Sequence, residues 1–172
     1  HLTVAPLRDN WHRSVEAAPF REELAALITK NFKGKELWAW KDPRTSLTLP
    51  LWKDVIDELA MELRCVFAVR NPLDVARSLD KREGPLRYKS FGLWFKYNVS
   101  ALKAAAGLPL VVVSYDRFVE DWKGELKRCA AGLDIPWPED DSELRKNIEA
   151  FIRPGLRHSV SSTDDLVGSD AP

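Results

Sequence analysis

The apolar positions of the chain change period repeatedly, and each change marks a predicted element. Phe20, Leu24, Leu27 and Ile28 recur at three and four residues, which predicts a helix over 20–32 with one buried stripe, stopped at Gly34. Residues 37–40 are a short apolar run of strand length that ends at Lys41. Helical spacing returns over 48–63 through Leu51, Val55, Leu59 and Leu63. Cys65–Val69 (C-V-F-A-V) reads as a strand buried on both faces, followed by a helix from Pro72 to about Arg82 that Gly84 and Pro85 break. Phe91, Phe95, Leu102 and Ala106 lie along one face of the longest helical pattern, 88–106, with Trp94 beside them. Gly107 and Pro109 close it. The strongest strand is L-V-V-V-S-Y at 110–115, whose stiff β-branched residues suit a pleated surface. Asp116 is expected to cap one long helix with Phe118, Trp122, Leu126, Cys129 and Leu133 on its buried face. A Pro-containing loop over 134–141 and an amphipathic helix over 142–152 complete the ordered part.

Strands alternating with helices predict an α/β fold, a parallel β-sheet of three strands with helices on both faces. The expected organisation is a single domain over 1–157. Residues 1–19 are irregular, and 158–172 form a polar, patternless tail expected to be disordered. In such sheets ligands collect outside the carboxyl ends of the strands. Two of the three predicted strand ends carry a cation, Lys41 and Arg70.

Composition narrows the function classes. The 172 residues hold 45% hydrophobic residues and seven Trp, which supports a globular core. Basic and acidic residues balance at 26 each, so nothing steers the chain to nucleic acid or an anionic membrane, and any anion site is local. No run reaches the roughly 18 apolar residues of a membrane helix. Cys65 and Cys129 lack metal or redox spacing and read as core residues, which fits a reducing, cytoplasmic setting. His12 and His158 have no partner at ligand or triad spacing, so neither a metal nor a nucleophile is assigned. Oligomeric state stays open.

Two short segments carry the chemistry. In R-N-P-L-D-V-A-R-S, residues 70–78, Arg70 emerges from a strand, Asn71 caps and Pro72 opens a helix. Free amides, the positive end of the helix dipole and a guanidinium then converge on one spot suited to a phosphate or sulfate, and Ser78 adds a hydroxyl. The plainer alternative is that Arg70 pairs with Asp74. In W-K-D-P-R-T-S, residues 40–46, Lys41 and Arg44 flank Asp42 in a pattern that can stabilise developing negative charge while the carboxylate orients the cations or accepts a proton. The plainer alternative is a turn in which Asp42-Pro43 starts the next helix.

Taken in order, W-K-D-P-R-T, V-R-N-P-L-D-V-A-R-S, L-W-F-K-Y and V-V-V-S-Y-D-R-F resemble the nucleotide-dependent sulfotransferases over about 38–138. Those enzymes move a sulfuryl group from 3′-phosphoadenosine 5′-phosphosulfate (PAPS) to a hydroxyl or amine. The resemblance implies a P-loop NTPase-like sulfotransferase fold, with PAPS as donor, no metal, and a small-molecule or carbohydrate acceptor. It implies that Arg70 and Ser78 bind the 3′-phosphate of the cofactor, and that Lys41 faces the sulfate side. Asp42 and Arg44 belong to the K-D-P-R form of bacterial-type members and join Lys41 as candidate catalytic residues.

The chain departs from the family pattern in three places. The family's Gly/Ser-rich loop for the 5′-phosphosulfate is not found, because the eight glycines are scattered singly. The histidine that many cytosolic members carry two residues after the strand lysine is Pro43 here. The basic, Gly-containing C-terminal stretch is echoed only by R-P-G-L-R-H at 153–158. Two readings follow: a C-terminal portion of a sulfotransferase whose loop is encoded upstream of His1, or a non-catalytic nucleotide- or partner-binding module on the same fold. A nucleotide kinase is disfavoured, since no Walker loop is present and Arg70 stands where a magnesium-binding acid is needed. Among the acceptor determinants, 81–89 (K-R-E-G-P-L-R-Y-K) is the basic loop best suited to an acidic sugar.

Overall fold

The computed structural model describes residues 8–83, 87–138 and 142–152 together with Ser161 and Asp165, and leaves aside the side chains of 82, 83, 87 and 88. Two single-turn 3-10 helices, Trp11–Arg13 and Val15–Ala17, lead into α1 (Ala18–Phe32) and α2 (Thr45–Glu58). Then come β1 (Cys65–Val69), α3 (Pro72–Glu83), α4 (Arg87–Ala104), β2 (Leu110–Ser114), α5 (Tyr115–Glu120), α6 (Trp122–Gly132) and α7 (Ser142–Phe151). The fold is mixed α/β, with a two-stranded parallel sheet flanked by helices. The chain divides into two compact units, one of residues 1–65 with 96–109 and one of 66–95 with 110–172.

In the first unit, α1 and the Trp11–Arg13 turn pack on α2. Ile28, Val55 and Ile56 are almost wholly buried. The predicted stripe of α1 is only partly realised, because Phe20 and Leu27 are exposed and Ile28 alone is fully covered. Arg13 fixes the turn to α2 by donating from Nε and Nη2 to the two carboxylate oxygens of Asp54, each at 3.0 Å. That pairing holds the Asp54 carboxyl below its usual range.

The predicted strand over 37–40 is not a strand among the described residues. Its alternation is real, since Trp38 and Trp40 stand on one side while Leu37 and Ala39 are exposed, but the pairing is aromatic instead of β. Phe32 stacks on Trp38 at 4.2 Å, Trp38 lies 5.5 Å from Trp40, and Trp40 stacks on Trp52 at 4.2 Å. This four-ring ladder ties the segment to the end of α1 and to α2 and gives the burial that a strand neighbour would have supplied.

In the second unit, β1 and β2 lie side by side, and one sheet face packs on α5 and α6. Val111, Val113, Cys129 and Leu133 form its core, with Phe118 and Ile135 against them. The opposite face is open among the described residues: Val66 is 56% and Val112 45% exposed. β1 therefore alternates instead of being buried on both faces, as its uninterrupted apolar sequence had predicted.

The predicted long helix after β2 is two helices. Asp121 leaves helical geometry (φ −140°, ψ 70°), and its carboxylate accepts the Gly124 N–H at 2.9 Å, capping α6. A Cβ at position 124 would meet that carboxylate, so a larger residue there would push Asp121 out of its cap position. Asp116 lies within the first turn of α5 and is not its cap. Burial raises the thiol pKa of Cys65 and Cys129, in keeping with their reading as packing residues. The C-terminal tail and the R-P-G-L-R-H stretch lie outside the described residues, Ser161 and Asp165 apart, as does the centre of the 81–89 loop.

Candidate functional site

The predicted anion site lies in the second unit, at the carboxyl end of the sheet. β1 ends at Val69 and β2 at Ser114, and the next residues, Arg70 and Tyr115, meet: the Arg70 guanidinium sits 4.4 Å from the centre of the Tyr115 ring. Trp94 of α4 donates from Nε1 to the Arg70 carbonyl at 3.0 Å. The aromatic platform and this backbone contact limit where the guanidinium can go. Its side chain is 22% exposed and therefore still reachable.

The helix start is built as the sequence predicts. Pro72 opens α3, and Asn71 Oδ1 accepts the Leu73 N–H at 2.9 Å. Asn71 Nδ2 donates to the Ser161 carbonyl at 2.9 Å, so both ends of the amide are assigned by their partners. Ser78 stands four residues beyond Asp74 and shares a face of α3 with it, exposed to solvent.

Asp74 is the hub that sequence reading treated only as a rival explanation for Arg70. It is fully buried and lies 3.9 Å from both the Arg70 and the Arg77 guanidinium. Its oxygens also accept from the Ser161 hydroxyl at 2.8 Å and the Ser161 amide at 3.4 Å. The same hydroxyl accepts from Arg77 Nη1 at 2.8 Å. The Asp74 carboxylate is shared between the two guanidiniums at the start of α3. Nothing in the S-V-S-S-T run signals the role of Ser161. Tyr115 was within reach of sequence reasoning, because two five-residue parallel strands in register bring their following residues together.

The other predicted cluster lies in the first unit, where the aromatic ladder delivers the chain to Lys41. Trp40 Nε1 donates to Thr45 Oγ1 at 3.1 Å, clamping both ends of the turn. Lys41 is exposed. Asp42 is engaged by Arg44: the Arg44 amide donates to Oδ1 at 2.8 Å, Nε to Oδ1 at 2.9 Å, and Nη2 to Oδ2 at 2.5 Å. The Asp42 carbonyl accepts the Thr45 N–H at 2.9 Å, so the segment is an Asx-type turn that starts α2. Hydrogen bonds from the Arg44 side chain and amide lower the Asp42 pKa to about 2. A carboxylate so acidic is a weak proton acceptor near neutral pH. This arrangement suits Asp42 to orienting Arg44, not to serving as a base.

Among the described residues no group of His, Cys, Asp and Glu side chains is placed to hold a metal ion, and no helix is long and apolar enough to cross a membrane. No protein-family model, curated protein or solved structure matches the chain.

Proposed function

We propose that the chain belongs to a PAPS-dependent sulfuryl-transfer protein and that its second unit carries the 3′-phosphate anchor of the nucleotide. One observation carries this reading: the R-N-P-L-D-V-A-R-S segment forms a strand end, an Asn cap, a Pro-opened helix and a guanidinium stacked on Tyr115. Arg70 supplies the charged donor, Ser78 a hydroxyl, and α3 its positive end. Buried Asp74, which Arg77 also approaches, positions Arg70. In the first unit Lys41 offers an exposed ammonium to a transferring sulfuryl group, and Asp42 holds Arg44. The acceptor in this reading is a small molecule or carbohydrate bearing a hydroxyl or amine.

A second reading, a nucleotide-binding module without turnover, is favoured by the engagement of both Asp42 oxygens by Arg44, which makes that carboxylate a weak proton acceptor. Both readings require the same phosphate anchor. Calorimetric titration with adenosine 3′,5′-bisphosphate tests it. Arg70→Ala is expected to weaken binding by about 2 kcal/mol, roughly thirtyfold, the cost of losing a charge-assisted phosphate contact. Equal binding by wild type and variant would reject the anchor. Sulfate transfer to a panel of hydroxyl acceptors then separates the two readings.

A further inference from the structure

The two edges of the sheet are finished differently. The Cys65 amide donates to the Pro109 carbonyl at 2.8 Å, which sets the register of the parallel pair. Backbone groups alternate sides along a strand, so Cys65, Phe67 and Val69 turn theirs to β2, while Val66 and Ala68 turn N–H and C=O outward. By the same rule Val112 is the middle outward residue of β2.

The outer edge of β2 is closed. Arg128 of α6 donates from Nη2 to the Val112 carbonyl at 2.6 Å, and the same nitrogen lies 2.6 Å from Glu125 Oε2, which holds it there. A charged side chain across an edge strand is a device that blocks strand addition. β1 has no such guard. Cys65–Val69 contains neither charge nor proline, Val66 is 56% exposed and Ala68 is exposed as well. Among the described residues nothing bonds to the outward N–H and C=O of these two.

We infer that the β1 edge is an interface for a second copy of this chain, which adds its own β1 antiparallel across a two-fold axis. Val66 of each copy then exchanges both backbone hydrogen bonds with Ala68 of the other, and every outward group of the two residues is paired. The sheet runs β2, β1, β1, β2, with an Arg128 closing each end. Growth stops at the dimer, because no open edge remains. Among the described residues no other strand competes for the place: β2 is paired on one side and guarded on the other, and the 37–40 segment is held in the aromatic ladder. One strand edge buries less than the roughly 800 Å² per partner of a stable complex, so the association is weak and depends on concentration. It does not depend on what Arg70 binds.

Sedimentation velocity of the whole chain across a wide concentration range tests this, with amide hydrogen exchange by NMR on the same samples. The expected result is a monomer–dimer equilibrium with no larger species, in which the Val66 and Ala68 amides gain protection as the dimer forms. Ala68→Pro removes an outward N–H that the pairing with β2 does not use, and should weaken dimerisation at least about tenfold while circular dichroism shows the fold retained. Val66→Lys, a charge at an exposed edge position, should do the same. Arg128→Ala opens the second edge and should yield species larger than a dimer. A monomer at every concentration, a dimer whose Val66 and Ala68 amides stay unprotected, protection of those amides in the monomer, or full dimerisation by a folded Ala68→Pro variant would overturn the inference.

Discussion

Two turns in this chain are written in nearly the same letters and folded to opposite ends. Lys41-Asp42-Pro43-Arg44 and Arg70-Asn71-Pro72 each follow an extended segment with a cation, an Asx residue and a proline, and each starts a helix. In the first, the Asx residue is charged and its carboxylate is taken up by Arg44, whose side chain is 80% exposed. In the second, the Asx residue is the neutral Asn71, which only caps. The acid comes one turn later as Asp74, with no exposure at all. Moving the carboxylate from the turn into the helix changes what it does. At the surface it closes a local ring with Arg44, and when buried it sets the position of Arg70, Arg77 and Ser161.

Substitutions should separate the two turns by size of effect. Asp74→Ala removes a buried acid that faces two guanidiniums and the Ser161 hydroxyl, and urea denaturation is expected to show a loss of about 3 kcal/mol or more. A loss under about 1 kcal/mol would mean that the hub is not structural. Trp40→Ala breaks two ring contacts of the ladder and the bond to Thr45, with an expected cost of about 3 kcal/mol by the same measurement. Ser161→Ala should cost about 1.5 kcal/mol, as a hydrogen bond to a charged group.

The smallest effect belongs to the exposed turn. The Asp42 pKa is lowered from 3.8 to about 2 in the folded chain. Its contribution to stability is therefore present above about pH 4 and fades as pH falls through about 2. A carbon-detected NMR titration should place the Asp42 midpoint near the lower value. Arg44→Ala should return it toward 3.8 and remove that contribution, a small loss at pH 7 because solvent screens this exposed pair.

Most elements were legible because their burial is periodic and local. Helices near α1, α2, α3, α4 and α7 and both strands of the sheet follow from apolar spacing, Gly and Pro. The failures have physical causes. The W-A-W segment has the alternation of a strand, but its tryptophans find Phe32 and Trp52 instead of a neighbouring strand. The stripe from Phe118 to Leu133 continues through Asp121, and only the local competition of that carboxylate for the Gly124 amide splits it. Val66 and Val112 read as buried from their neighbours in sequence, whereas burial depends on what covers the sheet. In the candidate site, the Asn71 cap and the Pro72 helix start were readable, with Arg70 at the strand end before them. Ser161, ninety residues further on, carries no local signal, and Asp74 could be named as a partner of Arg70 but not as a buried hub.

The central claim is that the turn at Arg70 recognises a phosphate on the 3′ position of an adenine nucleotide. The most direct measurement varies the ligand and leaves the protein untouched: calorimetric titration of the wild-type chain with adenosine 3′,5′-bisphosphate and with adenosine 5′-monophosphate under the same conditions. The account predicts that the bisphosphate binds at least about tenfold more tightly, because only it presents the group that Arg70, Ser78 and the start of α3 would hold. Equal affinity for the two nucleotides, or binding of neither by the folded chain, would contradict it.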